Sequence, residues 1–557
     1  MMFGIGVQER KIGRVNVTIY GNAATIGAEV PEQVIHEDYS DRSATIYTNP
    51  ADLLKYKGVL PSFSMIRFAK VKNFIDGVYA AVEETVAKKG ERISILDFLN
   101  GLERKLENND AGRIISTALL LGQGENTSED SGLRGSIMLA NSDPQIKLPQ
   151  GFYDWTQELR NFYKQLKTLA ARPGTFFGRT DEEFDRELMR EIHSAIEGDS
   201  LLQENYNKIT GLYSRMTNEL NIGDGYGLIP PARLPDQEFF IRKSMETQSD
   251  IPNGLGLALV EAIKNREVDF SLNENSGLYI WQINEILPLV LRDSLEFKRY
   301  LVGDRYGKKM ESEFISQWVA TRHTHMGHTD FRQMLFGCSS APEPDPIDIA
   351  PNLIVEPLVT GYEKMTASLK FLENVLIDNF GDEFLEKRRL LHDGSRQDKN
   401  IGEEFGYMGS LLNGFAVVSR DSLHLSYKNN ENLDVARKTA LSWVKNAKND
   451  PDMNRNVAIF VPIIRETSGE RQIAYIDFGF KTTDLTVGYR DKPEISVSPS
   501  CRYNFENADY DLPGVVHREV RIPADKLIND RMLRELLPGG SFSERDLDNI
   551  VKKIEAG

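Results

Sequence analysis

Cysteine is almost missing from this chain: Cys338 and Cys501 are the only two in 557 residues. Two thiols cannot make a disulfide framework or a cysteine-rich zinc site, so a reducing compartment is the expectation. Long apolar runs are missing as well. None reaches the roughly 18–20 residues needed to cross a bilayer, and the best candidate, 278–291, is interrupted by Glu285. Positive charge is in deficit, with 67 basic against 83 acidic residues and a formal net charge of −16. That balance argues against non-specific binding to nucleic acid, which needs a basic surface to neutralise phosphates, and against a polybasic membrane anchor. The N-terminal stretch lacks an apolar h-region before and after its first charged residue, Glu9, so no secretory signal is expected. The expected location is cytoplasmic, with neither nucleic acid nor membrane as a partner.

The motifs of nucleotide chemistry are absent too. There is no Walker A sequence, no GxGxxG after a strand and no GxSxG, so no nucleotide cofactor is indicated.

What is present reads as an α+β chain: a predominantly helical central region, a small N-terminal β-containing segment and a compact α+β C-terminal domain. The expected divisions are 1–60 (β-containing), 61–338 (mainly helical), 339–351 (Pro-rich linker or strap), 352–412 (helical) and 413–557 (α+β). Val15–Tyr20 alternates and is β-branched, and Ala44–Tyr47 is a second short run. Trp155, Leu159, Phe162, Leu166 and Leu169 trace one face of a helix, with Asp154 placed to cap it. Thr180–Glu183 has capping-box spacing before a helix over 184–196. Pro288 should kink or break a helix over 277–300. Four prolines between 342 and 351 favour extended backbone. Beyond them, Leu358, Tyr362, Met365, Leu369, Leu372, Leu376 and Phe380 hold a three/four spacing, a stripe for either core or self-association. Gly414–Ser419 is a strand candidate, 433–447 a helix, and 457–464, 473–480 and 484–489 are strands.

Only eight histidines occur, yet His323, His325 and His328 fall within six residues, followed by Asp330. Neutral imidazole is the commonest protein ligand of late transition metals, and a carboxylate adds a hard oxygen donor. A catalytic metal needs about three protein ligands and an open position, which this segment could nearly supply. His323, His325, His328 and Asp330 are therefore the expected metal ligands, for a divalent ion such as zinc or iron, with His392, Glu311 or Glu313 as additional candidates. Helical geometry puts His325 and His328 on one face, continuing the Phe314, Trp318, Thr321 stripe, and turns His323 away. Convergence of all three requires the helix to end here, which Gly327 permits. The bland alternative is two core histidines in hydrogen bonds and one in solvent.

Three short resemblances go no further than their letters. His323-x-His325-x-x-His328 is similar in spacing to the HxHxDH loop of metallo-β-lactamase-fold hydrolases, with Gly327 where that motif has aspartate. Asp477-Phe-Gly479 matches the kinase metal-binding tripeptide without a His-Arg-Asp loop. Asp477, Gly479, Thr482, Thr483 and Asp484 resemble a phosphate-binding turn of actin-like ATPases, with Phe480 where a small residue belongs.

The functional expectation is a metal-dependent enzyme acting on a small molecule at the histidine cluster. The rival expectation is a non-enzymatic self-assembling structural or scaffold protein, such as a shell, capsid-like or phage component, with a homo-oligomer as its partner.

Overall fold

The computed structural model describes residues 61–450, apart from 107–108, 148, 150, 223–226, 248–254, 295–303, 330–352, 392, 424, 428–432 and 448–449, and a few residues near 550. The interpretable part is 72% helical and holds no sheet. Outside this body the backbone forms separate antiparallel ladders, such as Val457–Thr467 against Glu470–Phe480. The α+β expectation is thereby overturned: the described body is all-helical.

Its helices follow in order: α1 (Phe63–Ile66), a π-helical stretch (Arg67–Lys72), α2 (Asn73–Val86), α3 (Ile95–Lys105), α4 (Asp110–Gly122), α5 (Ser131–Ser142), α6 (Gln157–Ala170), α7 (Glu182–Glu197) and α8 (Ser200–Met216). Then come α9 (Pro235–Thr247), α10 (Leu255–Lys264), α11 (Leu278–Ile286), α12 (Asp304–Thr324), α13 (Val359–Phe380), α14 (Ile401–Ser422) and α15 (Leu433–Asn446).

Local sequence explains most helix starts. Ser94, Asn109, Asp130, Thr156, Asp181 and Asp199 each accept a backbone N–H of the first turn through their side chains, and Asn400 with Glu403 closes a full capping box. Two expected caps shift. Thr156, not Asp154, caps α6, and Asp154 instead receives Arg160 at 2.7 Å. Asp181, rather than Thr180, caps α7. Pro288 does end a helix: α11 stops at Ile286 and a 3-10 turn, Leu287–Leu289, follows.

The strand expected at Gly414–Ser419 lies inside α14. Its residues Phe415–Val418 are apolar on every side because neighbours cover every side, and such runs read alike as buried strand and buried helix. Gly414 lets α15 approach, since a Cβ there would stand 2.2 Å from the Ala436 carbonyl oxygen. The remaining strands expected at 15–20, 44–47 and 457–489, and the prolines of 342–351, lie outside the residues with described side chains.

One contiguous apolar core runs from Phe63 to Ala447. The stripe on α13 belongs to it: Tyr362, Met365, Leu369, Leu372, Leu376 and Phe380 are all buried against their own chain. Leu369→Glu is therefore expected to give insoluble or unfolded protein. A lone buried charge costs several kcal/mol out of a total stability of about 5–15 kcal/mol. A soluble Leu369→Glu protein with a cooperative thermal transition would show that the α13 stripe is not core.

Candidate functional site

The π-helical stretch sits inside an otherwise continuous helix from Phe63 to Val86, and it carries two buried cations, Arg67 and Lys72. Such widened turns are rare and are found frequently at functional sites. Arg67 donates to Glu285 at 2.9 Å, Gln317 at 2.9 Å, the Gln282 carbonyl at 3.0 Å and Thr321 at 2.9 Å. One guanidinium thus ties α11 to α12. Burial still pushes the Glu285 carboxyl up, against the opposing pull of Arg67 and Ser368. Lys72 pairs with Asp76, which also accepts Thr324 at 2.7 Å.

The histidine segment closes this polar interior. α12 ends at Thr324, and a 3-10 turn, Met326–His328, follows. Phe314, Trp318, Thr321, His325 and His328 are buried, as the stripe requires. His325 Nε2 is 2.6 Å from Gln282 Oε1, and its Nδ1 stands 3.5 Å from Thr217 Oγ1, which is 2.8 Å from the Tyr79 hydroxyl. Burial first, then the charges of His328 and Lys72, lower the His325 pKa to about 3, so the ring is neutral near pH 7.

His328 Nε2 lies 2.7 Å from Glu83 Oε1. The same carboxylate accepts the Tyr153 hydroxyl at 2.9 Å and the Tyr213 hydroxyl at 3.0 Å. Burial, followed by the Glu83 charge, raises both phenols well above their usual range and keeps them protonated donors. Tyr213 also packs against the His328 ring, with centroids 3.8 Å apart. Gly327 fits only as glycine: a Cβ would stand 2.0 Å from the Tyr153 hydroxyl. A third centre adjoins His325, whose ring meets Tyr279 edge-on with centroids 5.4 Å apart. Asp236 Oδ2 accepts Tyr279 at 2.7 Å, Trp318 Nε1 at 2.7 Å and Arg322 at 2.9 Å.

Of the four residues expected to hold a metal, His325 and His328 are brought into one interior but address different partners. The side chains of His323 and Asp330 lie outside the described residues. Among the additional candidates, Glu311 pairs with Arg292 at 2.7 Å and Lys264 at 3.0 Å, Glu313 is buried, and His392 is not described. Among the described residues, no group of three His, Cys, Asp or Glu side chains could hold a metal ion. No helix among them is long and apolar enough to cross a membrane.

Sequence reasoning missed Glu83, Asp236, Arg67 and the four tyrosines. The signal was there in part, because Glu285 and Glu83 interrupt apolar helical runs, and a charge in such a place needs a buried partner. No family model matches the chain, and neither a curated protein nor a solved structure does.

Two outcomes follow from this geometry. Glu83→Ala orphans three donors at once and should cost about 3–5 kcal/mol, whereas Tyr213→Phe removes one donor and should cost about 1–3 kcal/mol. Urea midpoints measure both, and equal losses would show that the carboxylate is not the common anchor. His325 supplies the pH dependence. Its folded pKa is below its unfolded value, so the unfolded chain binds the extra proton, and this part of the stability is present above about pH 6.5 and lost as pH falls towards 3. His325→Gln should flatten the acid limb of the unfolding free energy, measured by urea titration at each pH, by up to about 1.4 kcal/mol per pH unit within that window. An unchanged slope between pH 6 and 4 contradicts a buried neutral imidazole.

Proposed function

We propose that this chain is a non-enzymatic, self-assembling structural or scaffold protein, in which the histidine segment pins the helical core. One observation carries the reading. Both described imidazoles of the cluster are enclosed, and each turns its Nε2 to a protein oxygen, Gln282 Oε1 or Glu83 Oε1, at 2.6 and 2.7 Å. A catalytic metal keeps its imidazoles for the ion and leaves a position open to substrate. These rings instead serve as links between α2, α8, α11 and the end of α12.

The outer surface is compatible with assembly. Val435 on α15 and Leu257 on α10 are more than half exposed, at 58% and 59%. The α13 stripe contributes nothing to this reading, since it packs within its own chain.

Light scattering on the purified 63.1 kDa chain tests the proposal. Assemblies of several copies are expected, with metal content below about a tenth of an equivalent even after reconstitution with zinc or iron. A protein that stays monomeric at every concentration, or that binds one equivalent of metal and loses it in His325→Ala, overturns it.

A further inference from the structure

Strand Val457–Thr467 pairs with strand Glu470–Phe480 in one unbroken antiparallel register, from Val457 opposite Phe480 to Thr467 opposite Glu470. On its other side, Val457–Thr467 meets the two-residue strand Leu60–Pro61, at Phe460 and Ile459. Glu470–Phe480 stands at the end of this sheet, so among the described residues no strand pairs with its outer edge. In an antiparallel ladder every second residue turns its N–H and C=O away from the partner strand. The eleven residues of Glu470–Phe480 therefore present a row of such groups along roughly 36 Å.

Natural sheets blunt their edges with lysine, proline, a bulge or a very short strand. The outer edge of Val457–Thr467 is blunted in this way. Pro462 has no N–H, and proline is tolerated in a strand where the missing donor faces away from the partner. Glu470–Phe480 carries none of these devices. It is long, it contains neither lysine nor proline, and its continuous register leaves no place for a bulge. Its charged residues are Glu470, Arg471 and Asp477, and the rest of it is rich in Ile, Tyr and Phe. A strand with these properties is a template for one more strand.

The order of charges selects the same strand of a second copy. Two identical strands pair antiparallel about a twofold axis normal to the sheet, and residues placed opposite one another then share a face of the sheet. Centred on Ala474, this symmetry sets Arg471 opposite Asp477 of the second copy, and Asp477 opposite its Arg471. The pairing runs from Glu470 opposite Phe478 to Phe478 opposite Glu470. The neighbouring symmetric registers, centred on Ile473 and Tyr475, set Arg471 opposite Tyr475 and Gly479, and no opposite charges meet. Within its own ladder Asp477 stands opposite Phe460, so its place in the hairpin offers it no cation across the pair. Arg471 stands opposite Glu466, and the second copy extends that row with alternating sign: Glu466, Arg471, Asp477.

We propose that Glu470–Phe480 pairs antiparallel with the same strand of a second copy, Ala474 opposite Ala474, and joins the two hairpins in one continuous sheet. The contact is isologous and joins copies two by two. This inference rests on the self-assembly reading and names the surface that performs it.

The experiment uses the full chain with Cys338→Ser and Cys501→Ser, so that an introduced thiol is the only one. Ala474→Cys is compared with Gln472→Cys under mild oxidation. Residues directly opposed in an antiparallel pair have Cα atoms about 4.5–5.5 Å apart, within the range a disulfide spans. Ala474→Cys should therefore give a covalent dimer on a non-reducing gel, at least about tenfold faster than Gln472→Cys, which stands opposite Ile476. Light scattering on two charge variants tests the register independently. Asp477→Arg and Arg471→Asp each set like charges opposite one another, and each alone should need roughly tenfold more protein to associate. An equimolar mixture of the two should associate like the wild type, because opposite signs then meet at both positions. Melting transitions are checked first, and a charge variant that fails to fold leaves the decision to the thiol pair. A wild type that associates while Ala474→Cys cross-links no faster than Gln472→Cys overturns the strand pairing and leaves the self-assembly reading standing. A wild type that never associates overturns both. Folded charge variants that associate like the wild type, or that do not recover on mixing, overturn the register.

Discussion

A single buried carboxylate organises this molecule. Glu83 is enclosed on α2, and an enclosed carboxylate costs several kcal/mol unless hydrogen bonds replace its water. Tyr153, Tyr213 and His328 supply them, and they arrive from the turn before α6, from α8 and from the turn after α12. Each of those segments must therefore be in place before the charge is satisfied. Apolar packing alone tolerates sliding among helices of similar pattern, whereas a three-donor carboxylate accepts one arrangement. The rest of the polar interior repeats this logic at Asp236, with three donors, and at Arg67, with four acceptors.

This arrangement changes the meaning of the histidines. Clustering in sequence placed His325 and His328 together in space, and the same burial that gathers them removes them from solvent. His325 is held neutral by desolvation, and His328 is committed to Glu83. Rings held in this way fix the angle at which α12 ends against α2 and α8. The π-helical stretch adds to this from the other side, with Arg67 held between α11 and α12.

Surface and interior divide the charge of the chain between them. Inside, Arg67, Arg322, Glu83, Asp236 and Glu285 are matched side chain to side chain. Outside, acid gathers on α7, where residues 181–199 hold eight acidic and two basic side chains.

The amino-acid sequence by itself determined the helices that carry their own signals. The α13 stripe, the α6 face and the break at Pro288 follow from periodicity and from residues whose backbone freedom is local. Periodicity also placed Phe314, Trp318 and Thr321 on one buried face, whereas the 3-10 turn Met326–His328 after the end of α12 sets where His328 lies. Only the tertiary structure decided that Gly414–Ser419 is helical, since an apolar run takes its form from what covers it, and α13 and α15 cover all of it. Only the tertiary structure, too, supplied Glu83 and Gln282 as partners for the histidines. They lie 245 and 43 residues away in the chain, and hydrogen bonds act over about 3 Å of space, a distance that no spacing in the sequence encodes.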